Sequence, residues 1–122
     1  MNSPGQTARR KKGVRTEFPI IQKTYDLLRW LIPRLNEMPR NQRFLLGDRI
    51  ETTLLNLQGL LIEASFERTK LPLLRKASAE LEKLRFLVRL LEDLNVLGRR
   101  RAAYLMEGLA EVGRMLGGWI KE

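Results

Sequence analysis

Arg85 and Arg89 stand one helical turn apart, Arg75, Lys76 and Lys83 precede them, and Arg99, Arg100 and Arg101 follow as an unbroken run. Arginine carries a planar fork of donors that meets a phosphate or carboxylate through two parallel hydrogen bonds, so such a cluster suits binding of an anionic partner. These eight residues form the candidate site. The aromatic residues are not interleaved with them as a base-stacking platform would require, so contact with a nucleic-acid backbone is favoured over reading of single-stranded sequence. The competing reading is a solvated helix face. Glu80, Glu82, Glu92 and Asp93 alternate with Lys76, Lys83, Arg85 and Arg89 at i,i+3 and i,i+4 spacings, and exposed pairs of this kind contribute about 0.2–0.5 kcal/mol each.

Bond-making chemistry is poorly represented. The 122 residues include no His and no Cys, which removes the commonest general base, the commonest transition-metal ligand and any thiolate nucleophile. Without Cys there is no disulfide framework, nothing points to an oxidising compartment, and a cytoplasmic location is the default. The carboxylates do not converge on a pocket. Gly108, Gly113, Gly117 and Gly118 lack both the spacing and the preceding strand of a phosphate loop. The chain therefore reads as non-enzymatic, with no cofactor and no metal. Its 23 Lys and Arg against 14 Asp and Glu leave a net charge of +9, which favours an acidic partner, nucleic acid foremost.

The elements that must position the basic residues are helical. Leu74, Ala77, Leu81, Leu84, Val88 and Leu91 step by three and four, as do Ala102, Leu105, Leu109, Val112, Leu116 and Trp119. Ile50, Leu54, Leu57, Leu61 and Ala64 make a looser stripe, and Ile21, Tyr25, Leu28, Ile32 and Leu35 a fourth. Pro19 suits a first helical turn, Asn36 to Asn41 separates the first two helices, Thr69 to Pro72 opens the third, and Asn95 to Gly98 divides it from the fourth. Asn95 and Gly98 both tolerate the left-handed conformation that ends helices. Short links between long helices force antiparallel neighbours, so the expected fold is an all-α, up-down-up-down four-helix bundle. Pro33 lies inside the first pattern and predicts a bend near Arg29 to Pro33. Ala110, Gly113 and Gly117 share one stripe, which predicts a close helix crossing within the bundle or between copies.

Residues 18–122 form the predicted bundle domain. Residues 1–17 hold five basic residues against Glu17 and almost nothing apolar, so they are expected to be a disordered basic tail. The tail lacks the apolar core of a secretory signal, although an Arg-rich transit peptide shares its composition. No stretch approaches the roughly 18 uninterrupted apolar residues of a membrane span.

Three stretches carry a resemblance. Leu84 to Leu91, the glycine-rich run from Ala110 to Ile120 with Trp119, and the spacing from Pro33 to Arg40 resemble the accessory variability determinant (Avd) family of diversity-generating retroelements, over about residues 20 to 121. The basic tail falls outside the resemblance. It implies a four-helix bundle that assembles into a ring-like homopentamer and binds the retroelement's reverse transcriptase and its RNA or cDNA, supporting adenine-directed mutagenic copying into a variable gene. It also implies that Arg85 and Arg89 match a helix-three arginine pair that engages the reverse transcriptase. Arg99 to Arg101 depart from the family pattern and rest on charge alone. If the ring forms, apolar positions left over from the core, including some of Leu60, Ile62, Leu90 and Leu105, are expected to bury between subunits. The fold is shared with proteins encoded in intervening sequences of bacterial large-subunit ribosomal RNA genes, so a general nucleic-acid-binding or scaffolding role is the alternative.

Overall fold

The computed structural model describes residues 18–122, so the tail expected over residues 1–17 lies outside the described residues. Four long helices run Pro19–Leu35 (α1), Asp48–Phe66 (α2), Leu71–Asp93 (α3) and Arg99–Lys121 (α4). Proline stands in the first turn of α1 and of α3, where its missing N–H would be unpaired in any case. Helix α3 stops in a Schellman arrangement: Asn95 adopts φ 59°, its N–H donates to the Glu92 carbonyl, and the Val96 N–H donates to the Leu91 carbonyl. Gly98 has φ −62° and serves instead as the extended residue before α4. Of the two predicted stop residues, only Asn95 takes the left-handed role.

Each helix packs on its neighbours in sequence, and α1 closes the ring against α4. With connections this short the helices alternate in direction, which gives the expected four-helix bundle. The core is a leucine-rich column, including Leu27, Leu31, Leu54, Leu57, Leu61, Leu84, Leu91, Leu105, Leu109 and Leu116, all removed from solvent. Burial of such side chains is the main favourable term in folding, about 1.5–3 kcal/mol each as an upper estimate. Leu105 belongs to this core, so it is not available to a contact between subunits as expected. Leu60 and Ile62 are half-buried against the core and Leu90 is exposed.

Helix α1 is rotated from the predicted stripe. Tyr25 is 52% exposed and Ile32 only half-buried, while Ile20, Thr24, Leu27 and Leu31 join Ile21, Leu28 and Leu35 inside. Thr24 tolerates burial because its hydroxyl donates to the Ile21 carbonyl at 3.0 Å and accepts from Gln58 Nε2 at 3.2 Å. The same Gln58 amide donates to the Ile21 carbonyl at 3.1 Å, which fastens α2 to α1. Helix α1 continues as one element through Pro33, which sits on its exposed side two residues from the end.

The link between α1 and α2 is shorter than predicted. Helical backbone resumes at Arg40–Gln42 and passes through a π-helical turn, Arg43–Gly47, in which the Asp48 N–H bonds to the Arg43 carbonyl. Arg43 holds the turn in place. Its guanidinium donates to Asp48 at 2.6 Å, to Glu51 at 2.8 Å and, through Nε, to Asn36 at 3.3 Å. Gly47 leaves room for that side chain, since a Cβ there would lie 3.1 Å from Arg43 Cδ and Nη1. Phe44 and Leu45 point outward from the turn, 72% and 68% exposed.

Candidate nucleic-acid interface

Helix α3 divides the predicted basic residues between its two flanks. Arg75, Glu82, Arg85 and Arg89 step by seven, three and four along the flank that faces α4. Lys76 and Lys83 fall on the other flank, where they line a groove against Leu55, Asn56, Gly59, Leu60 and Glu63 of α2. The two lysines are thus not brought together with the arginines: a seven-residue repeat keeps each set on its own side of the core. Lys83 is also bound locally, to Glu80 at 3.0 Å. The expected ion pairing is real at Glu80–Lys83 and Glu82–Arg85.

Arg85 is the best-held member of the set. Its Nη1 donates to Glu82 Oε2 at 2.9 Å, and its side chain is 35% exposed. The other nitrogen, Nη2, lies against α4 at Gly113, where a Cβ would come within 2.6 Å of it. Arg89, one turn on, is exposed and has no ion-pair partner among the described residues, so Asp93 does not neutralise it as its spacing would allow. Arg75 is likewise exposed and unpaired among the described residues.

On α4 the contact at Gly113 identifies the flank that faces α3. Arg99, Ala103, Met106, Ala110, Gly113 and Gly117 follow it at steps of four and three. Mostly small residues lie along this seam and basic residues flank it. Arg114 and Lys121, both exposed, stand on its outer edge, and composition did not single them out because each is an isolated charge. From Arg99 to Arg75 the cations span on the order of 35 Å along the bundle at 1.5 Å per residue, with Glu82, Glu92, Asp93 and Glu107 as the acidic residues among them. Gly113 makes the predicted close crossing, whereas nothing lies within 4 Å of a Cβ at Gly117 or Gly118. The tight crossing on the opposite side of α4 falls at Gly108, outside that stripe.

The arginine run at the start of α4 separates in the same way. Arg99 and Arg100 are exposed, but Arg101 turns toward the α1–α2 link and pairs with Glu37 at 2.9 Å. The first turn of α4 has no side-chain cap and no acidic residue, so each cation there opposes the helix dipole by about 0.3–1 kcal/mol.

Helices α1 and α4 also assemble an aromatic cluster that spacing did not reveal. Trp30 and Tyr104 stack with ring centroids 4.5 Å apart, and the Arg34 guanidinium sits 4.8 Å over Trp30 while donating to the Trp30 carbonyl at 2.9 Å. Trp30 and Arg34 are four residues apart, a visible signal, but Tyr104 joins them only through the tertiary fold. At the far end Phe18 stacks on Trp119 at 4.8 Å and closes the bundle.

Among the described residues no helix is long and apolar enough to cross a membrane. A search of curated proteins finds no match. The bAvd-like family model, for the bacterial accessory variability determinant, matches residues 18–122, from the residue before α1 to the end of the chain. That match spans all four helices, including both helices of the basic flank, and the chain belongs to the bAvd-like family.

Proposed function

We propose that this bundle is a non-enzymatic accessory subunit of a diversity-generating retroelement, assembling as a homopentamer and engaging the reverse transcriptase together with its RNA or cDNA. Family membership supports the retroelement context. The observation that carries the binding role is the α3–α4 flank, where Arg75, Arg85, Arg89, Arg99, Arg114 and Lys121 outnumber Glu82, Glu92, Asp93 and Glu107. Phosphate contacts along such a flank give affinity with little sequence preference, because each neutralised phosphate releases condensed counterions whatever the base. Five copies in a ring would multiply that field. Exposed Leu90 and half-buried Leu60 and Ile62 remain as apolar surface for contacts between copies.

The test is the double variant Arg85→Ala, Arg89→Ala. Exposed ion pairs contribute about 0–1 kcal/mol, so the melting temperature and the light-scattering mass should stay close to those of the parent protein. Capture of the reverse transcriptase should drop strongly, each true anchor accounting for about 2 kcal/mol or more. Unchanged capture would sink the interface assignment. A monomeric mass for the parent protein at micromolar concentration would remove the ring.

A further inference from the structure

We infer that Gly113 is a positioning residue for Arg85: the bare backbone of α4 seats the guanidinium at the α3–α4 crossing, so that Arg85 and Arg89 present preset donors to a phosphodiester backbone. The inference rests on the nucleic-acid reading above. Three observations carry it. A Cβ at position 113 would stand 2.6 Å from Arg85 Nη2, closer than real Cβ contacts come, and 3.4 Å from Leu81 Cδ2, an ordinary contact. Glu82 fixes the other terminal nitrogen at 2.9 Å. Arg85 is therefore bonded at one end of its fork by a carboxylate of its own helix, while the other end lies against the bare backbone of the next. An arginine left free would surrender its rotamer freedom on binding, whereas one already seated gives up little of it.

The net positive charge of the flank favours a phosphodiester backbone as a ligand of the pair, beside its proposed contact with the reverse transcriptase. The carboxylates of the flank, Glu82, Glu92, Asp93 and Glu107, are outnumbered by cations spread along its whole length. The α4 side of the seam is made of Ala103, Met106, Ala110, Gly113 and Gly117, without Trp or Tyr, and Phe86 is the exposed aromatic beside the pair on α3. A long flank of net positive charge suits an extended polyanion.

The seat also explains why a residue that lowers helix propensity stands in the middle of α4. The atom in the way is the movable tip of a long side chain, so Gly113→Ala should swing the guanidinium aside without disturbing the core. Alanine is the better helix former, and the melting temperature should hold or rise. Binding of a labelled single-stranded RNA should nevertheless weaken roughly three- to tenfold, the range set by ordering one long side chain on binding. Because the charge remains, the salt dependence should keep its slope. Arg85→Ala should weaken binding and also reduce the slope of log affinity against log salt by about 0.7, one phosphate contact on a single strand.

The deciding experiment is a double-mutant cycle on the full chain, with RNA titrations across a salt series and a thermal melt of every variant. Gly113→Ala should add nothing in the Arg85→Ala background. Gly118→Ala, on the same helix but off that stripe and with nothing within 4 Å of its Cβ, is the matched control and should bind as the parent does. Parent-like RNA binding by Gly113→Ala, or an equal loss in the presence and absence of Arg85, would overturn the seat while leaving the nucleic-acid reading intact. An Arg85→Ala variant with parent-like RNA affinity and slope would overturn both. Loss of reverse-transcriptase capture with RNA binding unchanged would assign the pair to a protein partner and refute the phosphodiester ligand.

Discussion

Along α4, Gly108 meets Leu27 of α1 and Gly113 meets Arg85 of α3, and at both points a Cβ would come within 2.6 Å of its neighbour. The obstructing atoms differ in kind. At Gly108 three atoms of Leu27 crowd within 3.4 Å, and that leucine is 2% exposed and hemmed in by the core. At Gly113 the close atom is the tip of a half-exposed arginine. Charge follows the same division. The α1 flank pairs its cations with other elements, Lys23 of α1 with Glu111 of α4 at 3.1 Å and Arg101 of α4 with Glu37 of the α1–α2 link at 2.9 Å, and lays Arg34 on Trp30. The α3 flank leaves Arg89 and Arg75 exposed and ties Arg85 only to its own helix. One side of α4 is finished by the fold; the other keeps charge available.

The largest effects should come from the finished side. Leu27→Ala removes a fully packed side chain beneath α4 and should destabilise the bundle by about 2–5 kcal/mol in denaturant unfolding. A loss of only a few tenths would mean that the α1–α4 crossing is looser than its geometry. Gly108→Ala should cost about 1–3 kcal/mol from overpacking, offset in part by better helix propensity. The two should not add, since Leu27→Ala clears the space that the new methyl needs. In the Leu27→Ala background the Gly108→Ala penalty should shrink or reverse, and strict additivity would break the proposed contact.

The difference between the flanks also marks what could be read from the sequence. The stripes of α2, α3 and α4 were legible because each has one dominant apolar face. Helix α1 was not, since Ile20, Ile21, Leu27, Leu28, Leu31 and Ile32 support two overlapping stripes, and a buried threonine is recognised only through its bonds to Ile21 and Gln58. The π-helical turn at Arg43–Gly47 was hidden because its stabilising partners lie five and eight residues away, at Asp48 and Glu51, rather than at the usual helical neighbours. At the candidate site, Arg85 and Arg89 were legible as a pair. The separation of Lys76, Lys83 and Arg101 from them was partly written in seven-residue spacings, but Arg101 needed Glu37, which is 64 residues away. Gly113 was legible as a crossing; that it meets a guanidinium was not.

A smaller effect tests whether the glycine stripe has one purpose or two. Gly117 shares the face of Gly113 but meets nothing within the subunit, so Gly117→Ala should stabilise the folded chain by about 0.5–1 kcal/mol through helix propensity alone. Chemical denaturation reads that gain. If light scattering instead shows a lower mass for the variant, the open glycine serves a contact between copies, and the stripe is divided between an internal and an external crossing.

The smallest effect bears most directly on the contrast between flanks. The Arg101 and Glu37 side chains are 43% and 61% exposed, so their coupling energy in a double-mutant cycle should be only about 0.2–1 kcal/mol and should fade with added salt. Arg101 faces the α1–α2 link, already matched by a carboxylate, whereas Arg99 stands at the head of the α3-facing stripe. Arg99→Ala should therefore weaken RNA binding in dilute buffer and reduce its salt slope, while Arg101→Ala should leave both close to the parent values. Equal losses from the two substitutions would show that the three arginines act as one diffuse patch. The flank, rather than the run of charge in the sequence, would then cease to be the unit that binds.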